Sequence, residues 1–365
     1  MKFTEKVKQN KKKLIPVTVA LVLLLAAFAA AMYFHGIISR VDEEGLPVYE
    51  NYTSIKPAKY FSMFGTRVIY DEKHLDKILP EKTVTLEELN HVCRANDNIS
   101  VRYKDIICEF NRRLLEKYPS PDYRPYLENL RTMEIREMTS EEICAVSGRS
   151  NTYACYDVQG NAVCVPFDEP FNEGTYPFQA LYHELCHSVR RYYREDGGRE
   201  SIYQFNDVNF NCRILEEVLN TQVAVSLLSY KEERPAYIYA CNCMDIITEC
   251  TGAFTVEDYF SRPASWFAVK LNEATGRNDC GYFLRLLEEE YDEMADKGTH
   301  STESYRELYS FLIEIYFAKY YREGMPQERA YALKDELFSK LTRGCVELCR
   351  TSEPQFNELV QAYIG

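Results

Sequence analysis

The sequence predicts an α+β fold: a small mixed sheet and one buried helix, followed by a mainly helical C-terminal subdomain, all behind an N-terminal transmembrane helix. Three observations carry this. Strand-type segments occur only between about residues 132 and 166. Apolar residues recur at helical spacing before that stretch and through nearly everything after about residue 210. Residues 14–34 form an uncharged run of 21, and about 20 apolar residues cross a bilayer as a helix.

The N-terminus sets the topology. Six lysines (Lys2, Lys6, Lys8, Lys11, Lys12, Lys13) stand against Glu5 in residues 1–13, a net +5. That block is expected to stay cytoplasmic and to send the body to the outer side. A cleaved signal peptide, giving a secreted form, is the competing reading, because Ala27-Phe28-Ala29 and Ala29-Ala30-Ala31 both offer small-x-small sites. The run exceeds the about 7–15 residues of a signal core, which favours the anchor. The whole chain carries −13, so the remainder carries −18. A body this acidic repels a phosphate backbone, which excludes nucleic acid as a partner.

Residues 35–84 contain Gly36, Gly45, Pro47, Pro57, Gly65 and Pro80 with little periodicity and read as a stalk. Thr85-x-x-Glu88 is a capping box that starts a first helix. Ile106, Ile107, Phe110, Leu114 and Leu115 place a second helix at 101–117, ended by Pro119-Ser120-Pro121. Strands follow at 132–138, 152–158 and 161–166, with Gln159-Gly160 as a two-residue turn. A helix returns at 176–193, and further helices are expected near 212–230, 236–251, 281–295, 302–323 and 326–350. Residues 85–210 thus form one subdomain and 211–365 a helical second one.

The 13 cysteines are irregularly spaced with no CxxC pair, so a cysteine zinc ribbon is not indicated. Most read as small buried packing residues. Cys155 and Cys164 differ. If Val158 pairs with Asn161 across the turn, they face one another at a non-hydrogen-bonded position, with Cα atoms about 4.5 Å apart and inside the disulfide range.

The chemistry sits in His183-Glu184-Leu185-Cys186-His187. Residues i and i+4 share a helix face, so His183 and His187 can aim two imidazoles at one point, the bite that zinc requires. Glu184 follows the first histidine and lies about 100° round the helix. It is beside the metal without binding it, where a general base is needed. Leu181, Tyr182, Leu185, Cys186, Ser188 and Val189 are uncharged, as a buried motif helix requires. Cys186 reads as packing.

After the motif the chain runs Ser188-Val189-Arg190-Arg191-Tyr192-Tyr193, with no glycine or histidine to continue a His-x-x-Gly-x-x-His ligand series. Downstream, Ile214-Leu215-Glu216-Glu217-Val218-Leu219-Asn220-Thr221 carries two acids in an otherwise apolar helix. A buried carboxylate is costly unless a metal or cation neutralises it. Over about residues 130–230 this resembles the gluzincins, the thermolysin-like clan of zinc metallopeptidases, in which a glutamate on a second helix completes the metal site. Their Asn-Glu-Gly/Ala-x-x-Asp/Glu pattern aligns the ligand with Glu217 and leaves Glu216 as the alternative. The chain departs from it at Val218, where a small residue is usual, and at Thr221, where an acid is usual.

The resemblance implies a zincin-like fold and Zn2+ on His183, His187 and Glu217, with Glu184 as general base in hydrolysis of a peptide or protein substrate. It also implies a tyrosine or histidine donor to the oxyanion, for which Tyr237, Tyr239 and His300 are candidates. The substrate would lie along an edge strand before the motif helix, here 161–166. A catalytically silent surface-binding relative is the alternative, and the intact Glu184 argues against it. A hydrolase of a non-peptide bond and a tyrosine-rich scaffold for a membrane partner are lesser rivals.

Overall fold

The computed structural model describes residues 82–149, 152–158, 160–167, 171–189, 191–193, 199–201, 213–229, 237–252, 259–260, 264–277, 283–284, 286–291, 302–345 and 352–364, with the short stretches 60–61 and 67–68. The expected cytoplasmic tail and membrane helix lie outside these residues, as does most of the stalk. Among the described residues, no helix is long and apolar enough to cross a membrane.

The stalk region contributes one small antiparallel ribbon, β1 (Tyr60–Phe61) on β2 (Arg67–Val68). Helix α1 (Leu86–Ala95) begins at the expected capping box: the Thr85 hydroxyl accepts from the Glu88 amide, and the Thr85 amide donates to the Glu88 carboxylate at 2.9 Å. Helix α2 (Val101–Lys117) has the expected bounds. Helices α3 (Arg124–Thr132) and α4 (Ser140–Ser147) were not expected. Pro125 in the first turn of α3 and a second capping box, Thr139 with Glu142, are the signals that mark them.

Strands β3 (Glu134–Met138), β4 (Cys155–Asp157) and β5 (Ala162–Pro166) form a three-stranded sheet in the order β3-β5-β4. It is mixed, as expected, since β3 runs parallel to β5 and β4 antiparallel. The order corrects one expectation. The segment 161–166 is the central strand, paired on both sides, so its backbone is committed and cannot take up a substrate strand. The edge on the motif side of the sheet belongs to β4.

The β4–β5 register places Cys155 opposite Cys164, as expected, although the turn is longer. Residues 158–161 separate the last pair, Asp157 and Ala162, with Asn161 in the left-handed region at φ 49°. Gly160 donates its amide to Asp157 Oδ1 at 3.0 Å, and a Cβ there would collide with the other carboxylate oxygen. Any other residue would make the Asp157 side chain shift.

Helix α5 (Tyr176–Val189) carries the motif, opened by Pro177 in its first turn. It stops at Val189, four residues early, because the chain turns into β6 (Arg191–Tyr193), which pairs with β7 (Arg199–Ser201). Asn129 Nδ2 caps the Ser188 carbonyl at 2.7 Å, and Asn161 Nδ2 bonds the Asn129 carbonyl at 2.9 Å. These bonds tie the hairpin, α3 and the end of α5 together.

Helix α6 (Arg213–Leu227) packs on α5, and α7 (Ile238–Thr251) packs on α6. Helices α8 (Ala264–Thr275), α9 (Thr302–Tyr320), α10 (Gln327–Thr342) and α11 (Glu353–Ile364) complete the helical half. Of the expected helix at 281–295, residues 283–284 and 286–291 are described and helical. The expected helix 326–350 ends at Thr342, where Gly344 takes φ 77° and breaks it.

Candidate metal centre

The motif helix is buried by its own apolar residues. Leu181, Tyr182, Leu185, Cys186 and Val189 are each at most 6% exposed, contributing roughly 1.5–3 kcal/mol for each large side chain. This burial carries His183, Glu184 and His187 into the interior, at 7%, 7% and 5% exposure. Helix α6 presents Glu216, Glu217, Asn220 and Thr221 to the same interface.

Three donor atoms converge there. His183 Nε2 lies 3.0 Å from Glu217 Oε2, His187 Nε2 lies 3.4 Å from that oxygen, and the two Nε2 atoms are 3.2 Å apart. An ion held tetrahedrally at about 2.0–2.1 Å separates its ligand atoms by about 3.3 Å. The triangle is therefore already of the right size, and this His183, His187, Glu217 cluster can hold a metal ion.

Each opposite ring nitrogen has a side-chain oxygen within hydrogen-bonding distance. His187 Nδ1 is 2.9 Å from Glu216 Oε1, and His183 Nδ1 is 3.1 Å from Thr221 Oγ1. With each Nδ1–H donating to these oxygens, both Nε2 atoms present lone pairs. Two lone pairs and a carboxylate oxygen then face one another with no proton between them, an arrangement that a cation stabilises. Glu216, fully buried, thus stands behind His187 rather than in the triangle. Thr221 Oγ1 faces His183 Nδ1 as Glu216 Oε1 faces His187 Nδ1.

Without a metal ion, the carboxylates of the cluster favour a proton on His187 instead. Burial lowers the His187 ring, but the Glu217 and Glu216 carboxylates outweigh it and raise the group to about 10. Burial raises Glu217, yet His187 and His183 hold its carboxyl well below the ordinary range. Burial pushes Glu184 up, against the pull of the two histidines. Glu184 Oε2 sits 4.0 Å from His187 Nε2, beside the triangle and outside it. The outward Tyr156 backbone amide on β4 lowers the Glu184 carboxyl too, by the least of these influences.

Of the three oxyanion candidates, Tyr237 reaches the centre. Its ring stacks on His183 at 5.7 Å between centroids with 23° between planes. It caps α7 at φ 60°, ψ 25°, a conformation rare for a bulky residue and of order 1–3 kcal/mol in cost. Tyr239 instead sets its hydroxyl against the Cys243 thiol in the helical core. His300 lies outside the described residues. Asn220, fully buried beside Glu217, has neither amide atom hydrogen-bonded among the described residues. Sequence reasoning assigned no role to Thr221 or Tyr156. Thr221 alone left a signal, four residues after Glu217 where its helix faces the first histidine. No family model, curated protein or solved structure matches the chain.

Proposed function

We propose that the chain is a zinc metallopeptidase held in the membrane by residues 14–34, with its body outside the cytoplasm. The donor triangle carries this reading. Two imidazole nitrogens and one carboxylate oxygen make the three-ligand set of hydrolytic zinc centres. When bound, zinc supplies a Lewis acid that polarises the scissile carbonyl and brings the pKa of a water to about 7.

The chain's own residues supply the rest. Glu184, its pKa raised by burial, accepts the proton of the attacking water and passes it to the leaving nitrogen. A peptide substrate lies beside Glu184, on the β4 side of the sheet. The Tyr237 hydroxyl donates to the carbonyl oxygen as charge develops on it.

Glu184→Gln in the full-length chain tests this. The amide keeps the shape but accepts no proton, so zinc content is expected to stay at the wild-type level while kcat on a peptide mixture falls by about 10²–10⁴-fold. A wild-type chain that takes up no zinc sinks the proposal, as does a Glu184→Gln chain that cleaves at the wild-type rate.

A further inference from the structure

We propose that Tyr153, Phe167 and Tyr176 form a subsite for a large apolar or aromatic side chain of the substrate, about three residues from the bond that is cut. The inference rests on the peptidase reading above and names a class of substrate for it.

Large apolar side chains stand exposed at six described positions, and three of these gather at one end of the sheet: Phe167 at 53%, Val146 at 41% and Tyr176 at 37%. The topology brings them there. Antiparallel pairing of Cys155 with Cys164 sets the chain just after β5 level with the chain just before β4, so Phe167 and Tyr153 share that end. Ser147, the neighbour of Val146, bonds Thr152 Oγ1 at 2.8 Å and holds the end of α4 against the same point. Tyr176 opens α5, and its ring meets that of Tyr153 edge-on with centroids 4.9 Å apart. Single exposed apolar residues need no explanation, but a group of them marks a surface that takes a partner.

The motif helix points to what that partner is. Tyr176 and His183 are seven residues apart on α5, so they lie about 20° apart round the helix and about 10.5 Å apart along it. The aromatic pair therefore stands on the stripe of α5 that carries His183 and His187. Strand β4 packs on the same helix, so one helix and one strand connect the pair to the metal centre. An extended peptide rises about 3.3 Å per residue, and about three residues cover that distance. A substrate with its scissile carbonyl at the centre thus brings a side chain to the three rings. They favour an apolar or aromatic group there, through burial and edge-to-face contact. A lipid surface or a second protein would not need the patch to line up with the metal ligands.

The test uses the zinc-loaded full-length chain and a peptide library, with each cleaved bond located by mass spectrometry. Phe, Tyr and Leu are expected to be enriched about three residues to one side of the cut. Two peptides with Phe or Gly at that position are then compared by kcat/KM. The wild-type preference for Phe is expected to fall about tenfold in Tyr176→Ser and in Phe167→Ser, through KM, and to persist in Tyr176→Phe. Tyr331→Ser, which removes an exposed ring on α10, should leave the preference unchanged. A second arm needs no cleavage. Fluorescence anisotropy on the Glu184→Gln chain follows labelled alanine-glycine peptides with and without one phenylalanine. Adding Tyr176→Ser should weaken the phenylalanine peptide toward the plain one.

A Phe-to-Gly ratio that is equal in the wild type, Tyr176→Ser and Phe167→Ser overturns the subsite and leaves the patch to a membrane or a second protein. If Tyr176→Ser does not fold, Phe167→Ser carries both arms. A wild type that cleaves no peptide refutes the peptidase reading, and the binding arm then decides the subsite alone.

Discussion

Two buried interfaces in this molecule are built on opposite terms. Between α5 and α6, the buried groups include His183, Glu184, His187, Glu216, Asn220 and Thr221. In the bundle of α7, α9, α10 and α11, the contacts are Ile247, Tyr309, Leu337, Leu341 and Phe356, each fully buried. The bundle also buries an amide, Asn242, but that amide serves the backbone. It bonds the Leu341 and Arg343 carbonyls at 2.8 and 3.0 Å and closes the end of α10. At the α5–α6 interface His183, His187, Glu216, Glu217 and Thr221 bond one another instead. Buried polar groups that settle no backbone requirement cost free energy, a cost that a metal ion on His183, His187 and Glu217 would offset.

The sharpest way to break the comparison is to remove one anchor from each interface. Phe356→Ala opens a cavity beside Tyr309 and Phe338, whose rings lie 5.3 and 5.0 Å from that of Phe356. It is expected to cost about 3–5 kcal/mol of stability and to leave the zinc content of the folded chain unchanged. Glu217→Ala should empty the metal site. It also removes the carboxylate that His183 and His187 pair with, so the metal-free chain should lose some stability as well. Metal affinity should fall by more than the about 10–100-fold typical of an outer partner. Chemical unfolding with and without chelator, beside metal analysis, separates the two. A Phe356→Ala chain that empties of zinc would show that the interfaces are one cooperative unit.

The cysteines sharpen the same contrast. Those of the bundle side, Cys241 and Cys243, are buried packing residues whose thiols burial holds above the usual range. Cys155 and Cys164 face one another across β4 and β5, and both are free thiols in the structure. The outward Tyr156 amide changes one detail of the sequence-based expectation. Amides alternate in an antiparallel ladder, so the pair occupies a hydrogen-bonded position with Cα atoms about 5.5 Å apart, not about 4.5 Å. That is still inside the bridging range. In an exported, oxidised chain a Cys155–Cys164 bridge is expected, adding about 2–3 kcal/mol for a loop this short. Cys241 and Cys243 should stay reduced. Peptide mapping without reduction decides it, and alkylation of Cys155 and Cys164 in the oxidised chain would refute it.

Legibility followed how local each signal was. The capping box at Thr85, the bounds of α2, the hairpin register and the histidine pair are written in residues within about four positions of one another or in direct alternation. Strand order is not. Residues 161–166 read as an edge because they precede the motif helix, but β3 pairs along their other side from nearly thirty residues away. The split between Glu216 and Glu217 also escaped the sequence. Adjacent helix positions differ by about 100°, and only the packing of α6 on α5 decides which carboxylate reaches the triangle. Tyr153 and Tyr176 could not be singled out among 29 tyrosines, since they meet from two separate segments.

The smallest effects lie behind the histidines, where the two outer acceptors can be compared. Glu216 offers His187 Nδ1 a buried carboxylate, and Thr221 offers His183 Nδ1 a neutral hydroxyl. A charge-assisted hydrogen bond is roughly twice as strong as a neutral one. Glu216→Gln should therefore weaken zinc affinity toward the upper part of the about 10–100-fold range for outer partners. Thr221→Val, which keeps the shape and removes one neutral acceptor, should cost about tenfold or less. Thr221→Asp supplies a charged acceptor to His183 Nδ1 and should tighten binding. Competition titrations against a chromophoric chelator measure all three. Equal losses in Glu216→Gln and Thr221→Val would mean that the carboxylate's charge does nothing for His187. A Glu216→Gln chain that fails to bind zinc at all would move Glu216 into the metal's own ligand set.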